Sequence, residues 1–165
     1  VSIGAGSYSG LRIGLATAKG LCFGLDIPLI TLNTFKVMAN AWTNLPSGTL
    51  LLPMLDARRM EVYAAIFEGN NKQIISETSP IILEPDSFST LNQATIAFGN
   101  GAPKWKAACE NSFISFSEEH PYPQAQFMGA DAHLHFEMKD FTPIVQAEPA
   151  YLKEFMGIKP KIKSL

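Results

Sequence analysis

Residues 1–24 read VSIGAGSYSGLRIGLATAKGLCFG, and the order of residue types in them decides much of the fold. A short apolar run, Val1 to Ile3, enters a loop holding Gly4, Gly6 and Gly10, and a small-residue helix with almost no polar surface follows. Strand, glycine loop and helix in that order build either an anion site at a helix N-terminus or a place of close helix packing. A hydroxyl at Ser7 or Ser9 caps the helix by accepting from its orphan amides. The helix is expected from about Gly10 to Gly24, ended by Gly24 and then Pro28.

The phosphate readings of the loop fail on particular residues. Gly10 is followed by Leu11 and Arg12, where a phosphate-cradling loop needs Lys and Ser/Thr. In Gly6-Ser7-Tyr8-Ser9-Gly10 the central residue is Tyr8, so there is no serine-hydrolase elbow. Gly4, Gly6 and Gly10 keep a dinucleotide-binding domain as a lesser alternative. The acidic residue that reading needs at the end of a second strand is missing, because Asp26 precedes that strand.

The helix is more telling than the loop. Gly10, Gly14 and Ala18 form one small-residue stripe, and Ala16, Gly20 and Gly24 form another on a different side. An interior helical glycine costs about 1 kcal/mol relative to alanine, so two such stripes imply close backbone approach on two faces. One face is expected against the sheet. The other is expected either in the core or against a second helix, with Leu11, Leu15, Phe23, Arg12 and Lys19 lining the contact.

Further along, Pro28 to Leu32 reads as a strand, and Asn33 or Thr34 caps a second helix reaching about Trp42. Asn44 to Gly48 is a turn. TLLLPML at residues 49–55 has the near-continuous apolar run of a strand buried on both faces. MEVYAAIF at 60–67 follows, and Gly69-Asn70-Asn71 turns the chain into a third strand within 72–83. A short helix at Pro85, a strand at 94–98, a helix at 103–110, a short strand at 112–116 and a helix within 123–136 complete the series. Strands alternating with helices, plus one hairpin, give an α/β fold with a mixed sheet.

Composition narrows the function. The 165 residues are 47% hydrophobic with a formal net charge of −2, enough apolar content for one compact domain or two small lobes. That charge argues against a general nucleic-acid or membrane-surface binder. No apolar run reaches the roughly 18–20 residues of a membrane span. Cys22 and Cys109 lie far apart without a CxxC and read as buried thiols of a reducing compartment. Val1 begins inside a strand that needs sheet neighbours, so the chain is expected to be the C-terminal part of a longer protein.

No residue set declares catalysis. His133 and His135 are two apart, whereas helical metal ligands sit three or four apart, and His120 stands alone beside Pro121. Asp56-Ala57-Arg58-Arg59 follows a buried strand. Asp56 there either accepts its own loop's amides or, with Arg58, fixes a surface that a ligand or partner meets. Gly99-Asn100-Gly101-Ala102 is either a plain strand-to-helix turn or a backbone approach to a nucleotide. Lys153, Lys159, Lys161 and Lys163 make a positive tail that ends in solvent or touches RNA phosphates.

The first block closely resembles the GPGSFTGLRIGLATAKGLA-type signature of the TsaB (YeaZ) family, a bacterial subunit of the machinery making threonylcarbamoyladenosine at tRNA position 37. The resemblance continues through Ile27-Pro28, Asp56-Ala57-Arg58 with Glu61-Val62-Tyr63, Gly99-Asn100-Gly101-Ala102 and Pro149-Ala150-Tyr151-Leu152. Ala5 stands for the signature's proline and Tyr8-Ser9 for its Phe-Thr. The resemblance implies an actin-like, Hsp70-like ATPase fold of two ribonuclease-H-like lobes. Residues 1–43 would be the remainder of a truncated first lobe and 44–165 the second. It also implies a non-catalytic scaffold in the cytoplasm, without a cofactor or metal of its own, in a complex that uses ATP. Its partners would be a TsaD-type catalytic subunit and a TsaE-type ATPase, with tRNA met indirectly; the exposed small-residue helix adds a homodimer as an expectation for the chain when alone. Leu11, Arg12, Gly14, Leu15, Ala18 and Lys19 would carry the partner contact, and Gly99, Asn100 and Gly101 would lie nearest a nucleotide. The rival reading is an enzyme, a metal-dependent glycoprotease of the M22 type or a nucleotide phosphatase.

Overall fold

The run LLLPMLD folds as the central strand of the molecule, β1 (Leu50–Asp56), buried at every position up to its last residue. The computed structural model describes residues 1–152; the lysine tail lies outside the described residues. Around β1 stand β2 (Glu61–Glu68), β3 (Ile74–Ile82), β4 (Thr95–Phe98) and β5 (Ile114–Phe116). They form one five-stranded sheet in the order β3-β2-β1-β4-β5. The β1–β2 and β2–β3 pairs are antiparallel, and β1–β4 and β4–β5 are parallel, so the sheet is mixed as expected. Leu55 pairs with Tyr63 and Leu52 with Ala97, which brings the ends of β1 and β4 to the same edge.

Alternation along β1 sorts the core into two layers. Leu50, Leu52 and Met54 pack with Val62, Ala64 and the fully buried Trp105 on one face. Leu51 and Leu55 pack with Phe67, Phe98, Phe35 and Met38 on the other. Phe35 and Met38 come from α2 (Thr34–Ala39), whose Asn33 cap accepts from the Phe35 and Lys36 amides. Taking a side chain such as Phe35 fully out of water stabilises by about 1.5–3 kcal/mol.

Two other helices complete the described chain, α1 (Tyr8–Leu25) and α3 (Gly129–Glu137). The structure corrects several expectations. Gly24 lies inside α1, and Asp26 in the left-handed conformation ends it. The 123–136 segment is a 3-10 turn, Ala125–Met128, followed by α3. Residues 85–90 and 103–108 are turns rather than helices. In the second, Trp105, Lys106 and Ala108 each donate three residues back, to Ala102, Pro103 and Trp105. The Trp105 indole is anchored to the Glu84 carbonyl at 2.8 Å, which holds the segment in this tighter form. The strands expected at 1–5 and 28–32 amount to one parallel bridge, Ser2 to Leu32.

Candidate docking face and the adjoining cleft

α1 starts where Ser7 accepts from the Gly10 amide at 3.3 Å. Its inward side is the stripe of Leu15 and Cys22, which close on Leu29 and Ala147, with Ala18, Val1, Ile3 and Ile144 packed around them. This is a cluster of its own, so the expectation that α1 lies against the sheet is corrected. The close backbone approach expected at its glycines is also absent from the described chain. A Cβ added at Gly14, Gly20 or Gly24 would meet nothing within 4 Å.

The outward side is apolar and uncovered. Ile13 is 67% exposed, Leu21 57% and Phe23 83%. At 3.6 residues per turn, Ile13, Gly20 and Gly24 run along the centre of this side, with Leu21 and Phe23 on its two flanks. Of the six residues expected to carry a partner contact, Leu15 is buried within the chain, and Leu11, Ala18, Gly14 and Lys19 are half-buried. Only Arg12 is fully on the surface. The period of 3.6 found the helix correctly; apolar residues on every side left its inward stripe unmarked.

Arg12 and Lys19 turn toward the last described segment. The Arg12 guanidinium lies 4.1 Å from the centre of the Tyr8 ring, and its Nε donates to the Tyr151 hydroxyl at 2.6 Å. The rings of Tyr8 and Tyr151 stack at 5.0 Å. Lys19 Nζ donates to the Ala147 carbonyl at 3.1 Å, and the Ala150 amide to that of Ile3 at 2.7 Å. Sequence reading missed this cluster, because Arg12 and Tyr151 are 139 residues apart.

A cleft of about 610 Å³ separates the start of α1 from the end of β1, with Gly6, Gly10, Leu55, Asp56, Tyr63 and Asn100 among its walls. The fold thus brings together the glycine loop, the Asp56 turn and the Gly99–Gly101 turn. Asp56 accepts from the amide of Arg58, a residue at φ 74°, at 3.1 Å, and pairs with Lys104. Hydrogen bonding from Lys104 is the main cause that holds the Asp56 carboxyl below its ordinary value; the Arg58 amide adds to this and desolvation opposes it. Lys104 also donates to the Glu61 carbonyl at 2.5 Å.

The second turn is accounted for by packing. A Cβ at Gly101 would come within 2.9 Å of the Leu55 backbone and of Val62, and Gly99 sits at φ 96°. The Asn100 amide donates to Pro121 and that of Gly101 to Met54. Asn100 Oδ1 accepts from the Asp56 amide at 3.0 Å. Cys22 is buried and Cys109 half-buried, both as free thiols. His135 pairs with Asp140 at 2.8 Å, while His120 packs edge-on against Trp42 and Phe127. Among the described residues no group of three His, Cys, Asp or Glu is placed to hold a metal. None of their helices is long and apolar enough to cross a membrane.

Comparison with known proteins gives this arrangement relatives. Residues 1–163 match the model of the family described as TsaD, tRNA N6-adenosine threonylcarbamoyltransferase. The tRNA threonylcarbamoyladenosine biosynthesis protein TsaB of Escherichia coli (strain K12) is 29% identical over 162 residues, covering 94% of this chain and 70% of that protein. The protein of the same name from Bacillus subtilis (strain 168) is 25% identical over 167 residues, covering 93% and 72%. Among solved structures, YeaZ from Pseudomonas aeruginosa superposes with a TM-score of 0.70 at 19% identity, covering 92% of this chain and 72% of that one. The likeness fits the mixed sheet to the actin-like, ribonuclease-H-like α/β fold. A glycine-loop signature at the head of α1, this fold and a family match over nearly the whole length lead to one conclusion: the chain belongs to the TsaD family, in its TsaB (YeaZ) branch.

Proposed function

We propose that this chain is a non-catalytic TsaB-type subunit of tRNA threonylcarbamoyladenosine biosynthesis, and that it docks a TsaD-type transferase through the outward side of α1. Its part in that biosynthesis follows from its family and its TsaB relatives. The docking role is carried by one observation: an 18-residue helix whose outward glycines meet nothing and whose outward apolar side chains stand in water. An apolar side of this kind is the mark of a protein-interaction surface. Glycine in the middle of such a helix lowers its stability and serves only close approach by another backbone.

In this reading the complex, rather than this chain alone, uses ATP. A TsaE-type ATPase joins the pair in the cytoplasm, tRNA is met through the catalytic subunit, and the same helix side pairs two copies when the partner is absent. Co-purification with the organism's TsaD-type protein tests the proposal. A stable pair is expected, and turnover by the purified chain alone with added metal would favour the hydrolase instead.

A further inference from the structure

The last described segment, residues 142–152, does more than follow α3. It runs along residues 1–31, the N-terminal unit, and binds them at successive points. The Thr142 amide donates to the Leu29 carbonyl at 2.8 Å, and the hydroxyls of Thr31 and Thr142 meet at 2.8 Å. Ala147 is 5% exposed, set against Leu15, Cys22 and Leu29, and its carbonyl accepts from Lys19. Ala150 then hydrogen-bonds Ile3, and the run ends in the stack of Tyr8, Arg12 and Tyr151. The buried residues of α1, Leu15 and Cys22, pack with Leu29 and Ala147 rather than with the sheet, which the segment meets only at its end, where Leu152 packs against the layer of Phe35 and Phe98. The cleft beside Leu55 and Tyr63 keeps the start of α1 off the sheet.

We propose that residues 142–151 are a strap that fastens α1, with Tyr8, Arg12 and Tyr151 as its clasp, and that helix and strap unfold together as one unit, clasp included, while the sheet stays folded. The clasp combines an aromatic stack, a cation over the Tyr8 ring and a hydrogen bond from a charged donor, and Tyr151 itself makes the stack and accepts the hydrogen bond. Elements held by few buried contacts open at lower free energy than the core they adjoin. The strap is therefore the device that sets how often α1 leaves its seat. This holds whatever α1 docks, so the test needs no partner.

Hydrogen exchange read by mass spectrometry on the whole chain decides it. In Tyr151→Ala the amides of α1 and of residues 142–150 are expected to exchange about tenfold faster or more, from the loss of the stack and of the charged hydrogen bond. Those of β1, β2 and β4 should be unchanged. Unchanged exchange in α1 overturns the proposal. Faster exchange throughout the sheet overturns it too, since the unit would then not be distinct. Should Tyr151→Ala fail to fold, Tyr151→Phe serves: it keeps the stack, removes the hydroxyl and is expected to raise exchange about threefold in α1 and the strap alone. No rise in that variant, or a rise shared with the sheet, has the same overturning force.

Discussion

Asp56 shows what a single residue reveals in sequence and what it conceals. Its bond to the Arg58 amide is local, and an aspartate at a strand end predicts it. Its partner Lys104 is 48 residues away and has no signature. Because the folded carboxyl is held below its ordinary value, the stabilisation is present above the unfolded value of about 3.9. It is lost as pH falls through the lower folded value. Asp56→Asn should therefore cost at most about 1 kcal/mol at pH 7, the pair being partly exposed. The cost should shrink as the pH is lowered below the unfolded value, as urea unfolding at pH 7 and at lower pH will show. Gly101 makes a sharper case. A methyl there presses on the Leu55 backbone and on Val62, so Gly101→Ala is expected to cost about 1–3 kcal/mol, read as a lower urea midpoint.

α1 was legible as an element from its small-residue spacing, with Ser7 one of two candidate local caps and the start at Tyr8, a fraction of a turn earlier than Gly10, decided by the structure. Which side faced inward was not legible. Ile13, Leu15, Leu21 and Phe23 put apolar atoms on every side of the helix, and only the tertiary partners Leu29 and Ala147 choose Leu15 and Cys22. The same limit explains residues 103–108, whose helical composition yields to the anchoring of Trp105 on Glu84. The outward glycines give this element an unusual expectation. Since a Cβ at Gly20 meets nothing, Gly20→Ala should raise the stability of the free chain by about 1 kcal/mol in thermal or urea unfolding. The same change should weaken partner binding. A glycine retained for packing inside the chain would instead lose stability when substituted.

For the whole molecule, the α/β class and the mixed sheet followed from strands alternating with helices plus one hairpin, and the near-continuous apolar run of β1 gave its burial on both faces, though not its central place in the sheet. What could not be read was the division of the described chain into a two-layered sheet core and a separate cluster under α1. That division depends on residues 142–152 returning to the N-terminal unit, a contact between sequence extremes. It leaves the outward side of α1 apolar and open, and the family places the chain in tRNA threonylcarbamoyladenosine biosynthesis. The central claim is that this side docks a TsaD-type transferase. Titration calorimetry of the whole chain and its Gly20→Leu variant against that transferase tests it most directly. The account predicts at least about a hundredfold loss of affinity, the 2–3 kcal/mol of a central interface position, with no fall in the variant's unfolding midpoint. Equal affinity of the two proteins for the transferase would contradict it.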